Sequence, residues 1–304
     1  MIAIDLGSNS FRAISYDCKT SRLIDAYETI VKTADKLHLT SKISEPAVER
    51  VLEALKQADK RLHFSEHTVR AVTTQAMRKA TNQEAVLSRL EKEGGVHFEV
   101  IDAEKEAYYT LIAVEARLKA LKIKSEHFVL IDVGGGSTEI IFYKEGISES
   151  KSFPIGIVTT AQSCDDGEEI DLYLRRMFQP LVRYVEDYHS REGRPETMVA
   201  TAGTPTTMAA YLLGMDYSDY DVEKINGYKL TLEGTQSALD GLMALDEQQR
   251  AEIVGVGRES LILSGIVIVQ KLYEVLGFEA AIVIDDGVRE GVALDYCRQR
   301  DQLR

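Results

Sequence analysis

One stretch constrains this chain more than any other: Val129-Leu130-Ile131-Asp132-Val133-Gly134-Gly135-Gly136-Ser137-Thr138-Glu139-Ile140-Ile141-Phe142-Tyr143. Two apolar runs flank an acidic residue, three glycines, two hydroxyls and a second acidic residue. The runs are rich in β-branched and aromatic residues and too short for helices, so the pattern predicts strand, tight turn, strand. Without Cβ atoms, Gly134, Gly135 and Gly136 let the backbone approach a ligand closely. Successive amide N–H groups in such a turn form a concave anion site, to which Ser137 and Thr138 add hydroxyl donors. Asp132 and Glu139 stand at its mouth, where a hard cation bridges carboxylate to phosphate. A plain glycine-rich hairpin has the same layout. A Walker A loop is excluded, because no Gly-Lys-Ser/Thr opens a helix here.

The N-terminus repeats the layout. Ile4-Asp5-Leu6-Gly7-Ser8-Asn9-Ser10-Phe11-Arg12-Ala13-Ile14 matches Ile131 to Ile141 at five of eleven positions: the Ile, the Asp, the first Gly, the Ser and the last Ile. Internal repetition speaks to architecture. It predicts two similar domains, each with a phosphate-holding turn facing one cleft. A chain of 304 residues, 44% hydrophobic, is long enough for two domains with full cores.

The net charge of −13 argues against nucleic acid as a partner, since that needs a basic footprint. It also repels any polyanionic substrate at long range, so capture must rely on local donors and bound cations. The longest apolar run, near Leu261 to Val269, is broken by Ser264 and Gly265 and is too short to span a bilayer. The start shows no basic segment followed by an apolar one, so no signal peptide is expected. Cys18, Cys164 and Cys297 lack metal-binding spacing and read as free thiols of a cytoplasmic protein.

Along the chain, the segment from Lys32 to Ser44 carries Lys32, Lys36, His38 and Lys42; it is a loop near the cleft or a solvated surface segment, and the second is preferred. A helix opens at Ser44-Glu45-Pro46. The strand Thr68 to Val72 ends in Thr73-Thr74-Gln75-Ala76-Met77-Arg78, a phosphate neighbour if the helix that follows presents its N-terminus; Arg78 then contacts phosphate or is a surface arginine. The helix from Ala103 carries Glu104 and Glu106 in its first turn, either complementing the helix dipole or supplying a general base. One helix is expected over Asp171 to Tyr188 and another over Arg258 to Leu276. Met198 to Thr207 repeats the strand-to-helix theme, with Gly203 and Thr204 as further phosphate donors or as a simple connection. The boundary is placed at 122/123: domains 1–122 and 123–287, with a terminal helix over 288–304 packing back on the first.

These residues together resemble the Ppx/GppA phosphatase family, the exopolyphosphatases and guanosine pentaphosphate phosphohydrolases. Asp5-Leu6-Gly7-Ser8-Asn9-Ser10 is similar to its first phosphate loop, Thr73 to Arg78 to its threonine-to-arginine segment, and Asp132 to Glu139 to its signature. Gly287-Val288-Arg289-Glu290-Gly291 is similar to its C-terminal Gly-Leu-Arg-Glu-Gly. The resemblance implies an α/β fold of two ribonuclease H-like domains, of the actin, sugar-kinase and heat-shock-chaperone ATPase superfold, flanking a cleft. It implies Glu106 as catalytic base, in Lys105-Glu106-Ala107 where the family has Glu-Glu-Ala. Arg258-Glu259-Ser260 departs likewise from Arg-Ala-Asp. The resemblance is to the short, two-domain type, without the additional C-terminal domain of longer members.

The implied reaction is hydrolysis of a terminal phosphoanhydride of polyphosphate or guanosine pentaphosphate. Gly7, Ser8, Asn9, Ser10, Arg78, Gly134, Gly135, Gly136, Ser137, Thr138, Gly203 and Thr204 would bind phosphate. Glu106 and Glu139 would serve as catalytic carboxylates, and Asp132 and Asp5 would hold Mg²⁺. A kinase or ATPase of the same superfold, a guanosine penta- or tetraphosphate sensor and an actin-like polymer remain alternatives. A homodimer is open.

Overall fold

The computed structural model describes residues 1–164 and 167–302. The chain divides into two compact units, Met1–Val114 with Asp286–Arg304, and Glu115–Asp285. The division falls inside a helix, eight residues ahead of the boundary read from sequence, because that helix runs unbroken from Ala103 to Ala120.

The first unit runs β1 (Ile2–Leu6), β2 (Ser10–Asp17), β3 (Arg22–Ile30), α1 (Leu37–Thr40), α2 (Glu45–Leu62), β4 (Val69–Thr73), α3 (Gln75–Lys79), α4 (Gln83–Gly94), β5 (Phe98–Val100) and α5 (Ala103–Ala120). The second runs β6 (His127–Val133), β7 (Thr138–Lys144), β8 (Ile147–Phe153), α6 (Ile157–Ala161), α7 (Gly167–Met177), α8 (Gln179–Glu192), β9 (Thr197–Thr201), α9 (Gly203–Leu212), α10 (Val222–Ile225), β10 (Lys229–Thr231), α11 (Leu232–Ala244), α12 (Glu247–Val254), α13 (Ile262–Leu276) and β11 (Ala280–Val283). The chain then returns to the first unit as α14 (Val288–Gln302).

Both units hold a mixed sheet of one design. The first has the order β3-β2-β1-β4-β5, and the second has β8-β7-β6-β9-β11 with β10 added at the edge. In each, an antiparallel meander leads into parallel neighbours, β1 beside β4 and β6 beside β9. The central strands β1 and β6 are almost continuously apolar because helices cover both faces. The edge strand β3 is partly exposed along its whole length. One core of the first unit joins Ala3, Ile14 and Val72 of the sheet to Tyr109 and Ile112 of α5 and Val288 and Val292 of α14.

Three local expectations are corrected and one is extended. The helix expected over 171–188 breaks at Phe178, because Pro180 in the first turn of α8 has no N–H to continue the ladder. The helix expected from Arg258 starts at Ile262, since Gly255 and Gly257 ahead of it take positive φ of 92° and 86°. The segment from Lys32 does present Lys32, Lys36, His38 and Lys42 to solvent, as expected, and in addition its backbone amides are fastened to the first turn. Cys18 and Cys297 are not free thiols. They form a disulfide with Cα atoms 5.4 Å apart, because α14 packs on β1 and β2 and brings together residues 279 positions apart. A reducing compartment therefore no longer follows from the cysteines. Among the described residues no helix is long and apolar enough to cross a membrane.

Candidate active site

The two glycine turns are built alike. In each, the first glycine's amide donates to the serine carbonyl three residues on: Gly7 to Ser10 at 3.0 Å and Gly134 to Ser137 at 2.9 Å. The hairpin closes at Leu6 opposite Phe11 and at Val133 opposite Thr138. Two residues are left at each tip, Ser8-Asn9 and Gly135-Gly136. Asp5 stands opposite Arg12 across β1 and β2, and Asp132 stands opposite Glu139 across β6 and β7. The repeat seen in sequence is thus a repeat of hydrogen bonding. The second carboxylate of one hairpin is a guanidinium in the other.

In the first unit, hydrogen bonds connect this turn to Glu106. Thr73 Oγ1 donates to Leu6 O at 2.8 Å, at the end of β1. The Ile101 amide donates to Thr73 O at 3.0 Å. Arg78 Nη1 donates to Ile101 O at 2.6 Å and to Glu106 Oε2 at 2.9 Å. The side chains of Arg78 and Glu106 are 21% and 12% exposed, so the pair is screened less than a surface ion pair. Asp102 starts the helix by accepting the Lys105 amide at 2.8 Å, which places Glu106 one residue further along the first turn. Lys105 reaches away to Glu99 at 3.2 Å. Burial works against its charge, but that carboxylate raises its pKa overall. Lys79, next to Arg78, has its pKa lowered by burial and by the Arg78 charge.

The first turn is also gripped from outside. The amides of Val31 and Lys32 both donate to Asn9 O at 2.9 Å, and that of Ala34 donates to Ser8 O at 2.8 Å. From sequence this segment reads as a loop near the cleft or a solvated surface, with the second preferred, because its lysines look like any solvated run and the left-handed φ of Lys32, 49°, leaves no mark in residue type.

In the second unit, α6 supports the turn. Ile157 N donates to Gly134 O at 3.0 Å and Val158 N to Gly135 O at 2.8 Å. Gly156 makes this approach possible: a Cβ there would collide with the backbone of Gly135 and Gly136. Thr138 Oγ1 donates to Ile155 O at 2.6 Å. Glu139 is 2% exposed and accepts Ser152 Oγ at 2.6 Å, a partner that the sequence did not reveal. Thr201, at the end of β9, lies beside Asp132 in register. The chain then passes through Ala202 at φ 72° into α9. Gly203 and Thr204 open that helix, with the Thr204 side chain buried against Gly265. Among the described residues no three His, Cys, Asp or Glu side chains form a metal cage.

The signature of the Ppx/GppA phosphatase family matches residues 19–299. Exopolyphosphatase 2 of Mycobacterium tuberculosis is 27% identical over 96% of this chain and 97% of its own length. A guanosine-5'-triphosphate,3'-diphosphate pyrophosphatase of Aeromonas hydrophila is 26% identical over 95% of this chain. The chain spans 58% of that relative's length, and 46% of a Fusobacterium nucleatum bifunctional 3-dehydroquinate synthase/phosphatase. The crystal structure of the Aquifex aeolicus Ppx/GppA family member superposes with a TM-score of 0.73 at 29% identity, covering 99% of this chain and 98% of its own. The match runs through both units, and on it this chain belongs to the Ppx/GppA phosphatase family.

Proposed function

We propose that the chain hydrolyses terminal phosphoanhydride bonds of inorganic polyphosphate or guanosine pentaphosphate. The observation that carries this reading is the Arg78–Glu106 pair, tied through Ile101 and Thr73 to the end of β1 where the first turn begins. A general base must be held in one orientation and must lie within reach of the bound substrate. Arg78 holds the Glu106 carboxylate, and the strand-end hydrogen bonds fix Arg78. In this reading Glu106 takes the proton from the attacking water, a role worth on the order of 10²–10⁴-fold in rate.

The tip amides of Ser8, Asn9, Gly135 and Gly136 and the hydroxyls of Ser8, Ser10 and Ser137 hold phosphate oxygens, while Gly7, Gly134 and Thr138 keep the turns in shape through their own hydrogen bonds. The first residues of α9, Gly203 and Thr204, add backbone amides. The donor set of the second hairpin fits a divalent cation of the magnesium type, which commonly takes one or two carboxylates plus substrate phosphates and keeps its waters. Asp132 would hold it, with Glu139 fixed by Ser152 across the strand pair. Asp5 is the poorer ligand, since its cross-strand neighbour is the cation Arg12. Bound there, Mg²⁺ would neutralise charge on the phosphates.

Phosphate release with Mg²⁺ from long-chain polyphosphate, guanosine pentaphosphate and ATP tests the reading. Release from either of the first two, lost in Glu106→Gln while binding persists, is expected. Transfer from ATP to a sugar hydroxyl would favour a kinase instead. Binding of the guanosine nucleotide without release would favour a sensor.

A further inference from the structure

We infer that the loop of residues 31–36 is a second anion-binding arm of the first turn, in which Lys32 and Lys36 take phosphates of a polyphosphate-type chain beyond those held by the turn. The inference rests on the hydrolase reading and names how the same substrate class is gripped.

Three backbone hydrogen bonds, from Val31, Lys32 and Ala34, fasten this loop to the carbonyls of Ser8 and Asn9, the two tip residues of the turn. Arg50 holds the loop from the other side, with Nε on Val31 O at 2.7 Å and Nη2 on Lys32 O at 3.4 Å. The path of the chain forces both lysines into the left-handed region, Lys32 at φ 49° and Lys36 at φ 55°. Residues other than glycine, asparagine and aspartate seldom sit there, and such conformations gather where a site over-determines the backbone. Thr33 between them is sealed at 1% exposure, with no partner for its hydroxyl among the described residues. Lysine at these two positions gains nothing for the backbone, where glycine would sit without strain.

The charge pattern gives the lysines a use. Several cations of this unit are committed to carboxylates, among them Arg12 to Glu28, Arg78 to Glu106, Lys105 to Glu99 and Arg289 to Glu290. Lys32 and Lys36 are exposed, and among the described residues neither makes an ion pair. Asp35 lies between them in sequence and leaves the pair of lysines with a net positive charge. On a chain of net charge −13, a polyanion is attracted only by such local cations. A flexible ammonium is a point-charge phosphate ligand that tolerates a sliding chain better than a fixed guanidinium fork.

The test compares the wild-type chain with Lys32→Gln/Lys36→Gln, Lys32→Arg/Lys36→Arg and Lys32→Gly/Lys36→Gly. Binding of inorganic tripolyphosphate in EDTA is measured by calorimetry, and KM and kcat for long-chain polyphosphate with Mg²⁺ by phosphate release. The glutamine pair is expected to weaken tripolyphosphate binding about tenfold, raise KM by a similar factor and keep kcat within about twofold. The arginine pair should recover most of the affinity. The glycine pair relaxes the backbone but removes both charges, and should bind as weakly as the glutamine pair. Wild-type affinity in the glutamine or glycine pair, or no tripolyphosphate binding by the wild type, overturns the arm. Phosphate release with unchanged KM in the glutamine pair removes the arm and leaves the hydrolase. Weakened binding with no release from any substrate leaves the arm and removes the hydrolase.

Discussion

Arg78 and Glu106 show what a residue type can announce and what it cannot. An arginine after a strand-end threonine and a glutamate in a helix's first turn each have an ordinary surface explanation. Only folding shows that they meet, 2.9 Å apart and mostly buried. Arg78→Ala should misplace the carboxylate and lower kcat/KM about 10²-fold, beyond the roughly 1.5–3 kcal/mol of stability that a hydrogen bond to a charged group carries. Steady-state kinetics beside urea unfolding would check the pair of effects; unaltered kcat/KM would remove Arg78 from the site. Glu290 is the second residue-scale case. It accepts the Gly287 amide at 2.9 Å and Arg289 Nε at 2.6 Å. Burial pushes its carboxyl above the ordinary value and the Asp286 charge adds to this, while Arg289 pulls the other way; the upward push wins. The folded state therefore holds this proton more tightly than the unfolded one, so the group costs stability as pH rises above about 4.5. Glu290→Gln, which can still accept the Gly287 amide, should gain stability relative to wild type between acid and neutral pH. Urea midpoints across that range that stay parallel would show that the carboxyl is not perturbed.

At the scale of elements, the two glycine hairpins and the strand running into Thr73 were the legible part, whereas β8 went unread. Alternating turn residues and short β-branched runs give strand ends to within a few positions, and the repeated Ile-Asp-x-Gly-x-x-Ser gives the second hairpin from the first. What the pattern could not carry is how closely elements approach. Gly287-Val288-Arg289-Glu290-Gly291 has two glycines of equal standing in sequence, yet a Cβ at Gly287 meets nothing within 4 Å, whereas one at Gly291 would enter the backbone of Tyr109. Gly291 lets α14 cross α5 with no side chain between them. Gly287→Ala should thus change stability by no more than about 0.5 kcal/mol, and Gly291→Ala should lose about 1–3 kcal/mol through overpacking despite alanine's better helix propensity. Gly156→Ala should behave like Gly291→Ala and also impair phosphate release, since the displaced backbone is the second turn itself. Equal urea midpoints for the Gly287 and Gly291 variants would contradict the close crossing.

For the whole molecule, the first unit is discontinuous, with Glu115–Asp285 inserted between its two parts. Nothing in the local pattern of Cys18 or Cys297 could show that they pair, because the distance that matters is set by α14 returning to β1 and β2. Their disulfide closes a loop containing the whole second unit. In the chain-entropy view, a crosslink over 279 residues restricts the unfolded ensemble by an amount on the order of 5 kcal/mol, with measured values usually lower. That stabilisation belongs to the first unit, whose two parts it joins; the second unit is continuous and keeps its own core. Reduction, or Cys297→Ser, should therefore raise hydrogen exchange in peptides from β1, β2 and α14 and leave β6 to β9 protected. Mass-spectrometric exchange with and without a dithiol reductant reads this directly. Equal loss of protection in both units would mean that they unfold as one, and no change in either would mean that the crosslink adds nothing to what the packing of α14 on the sheet already supplies.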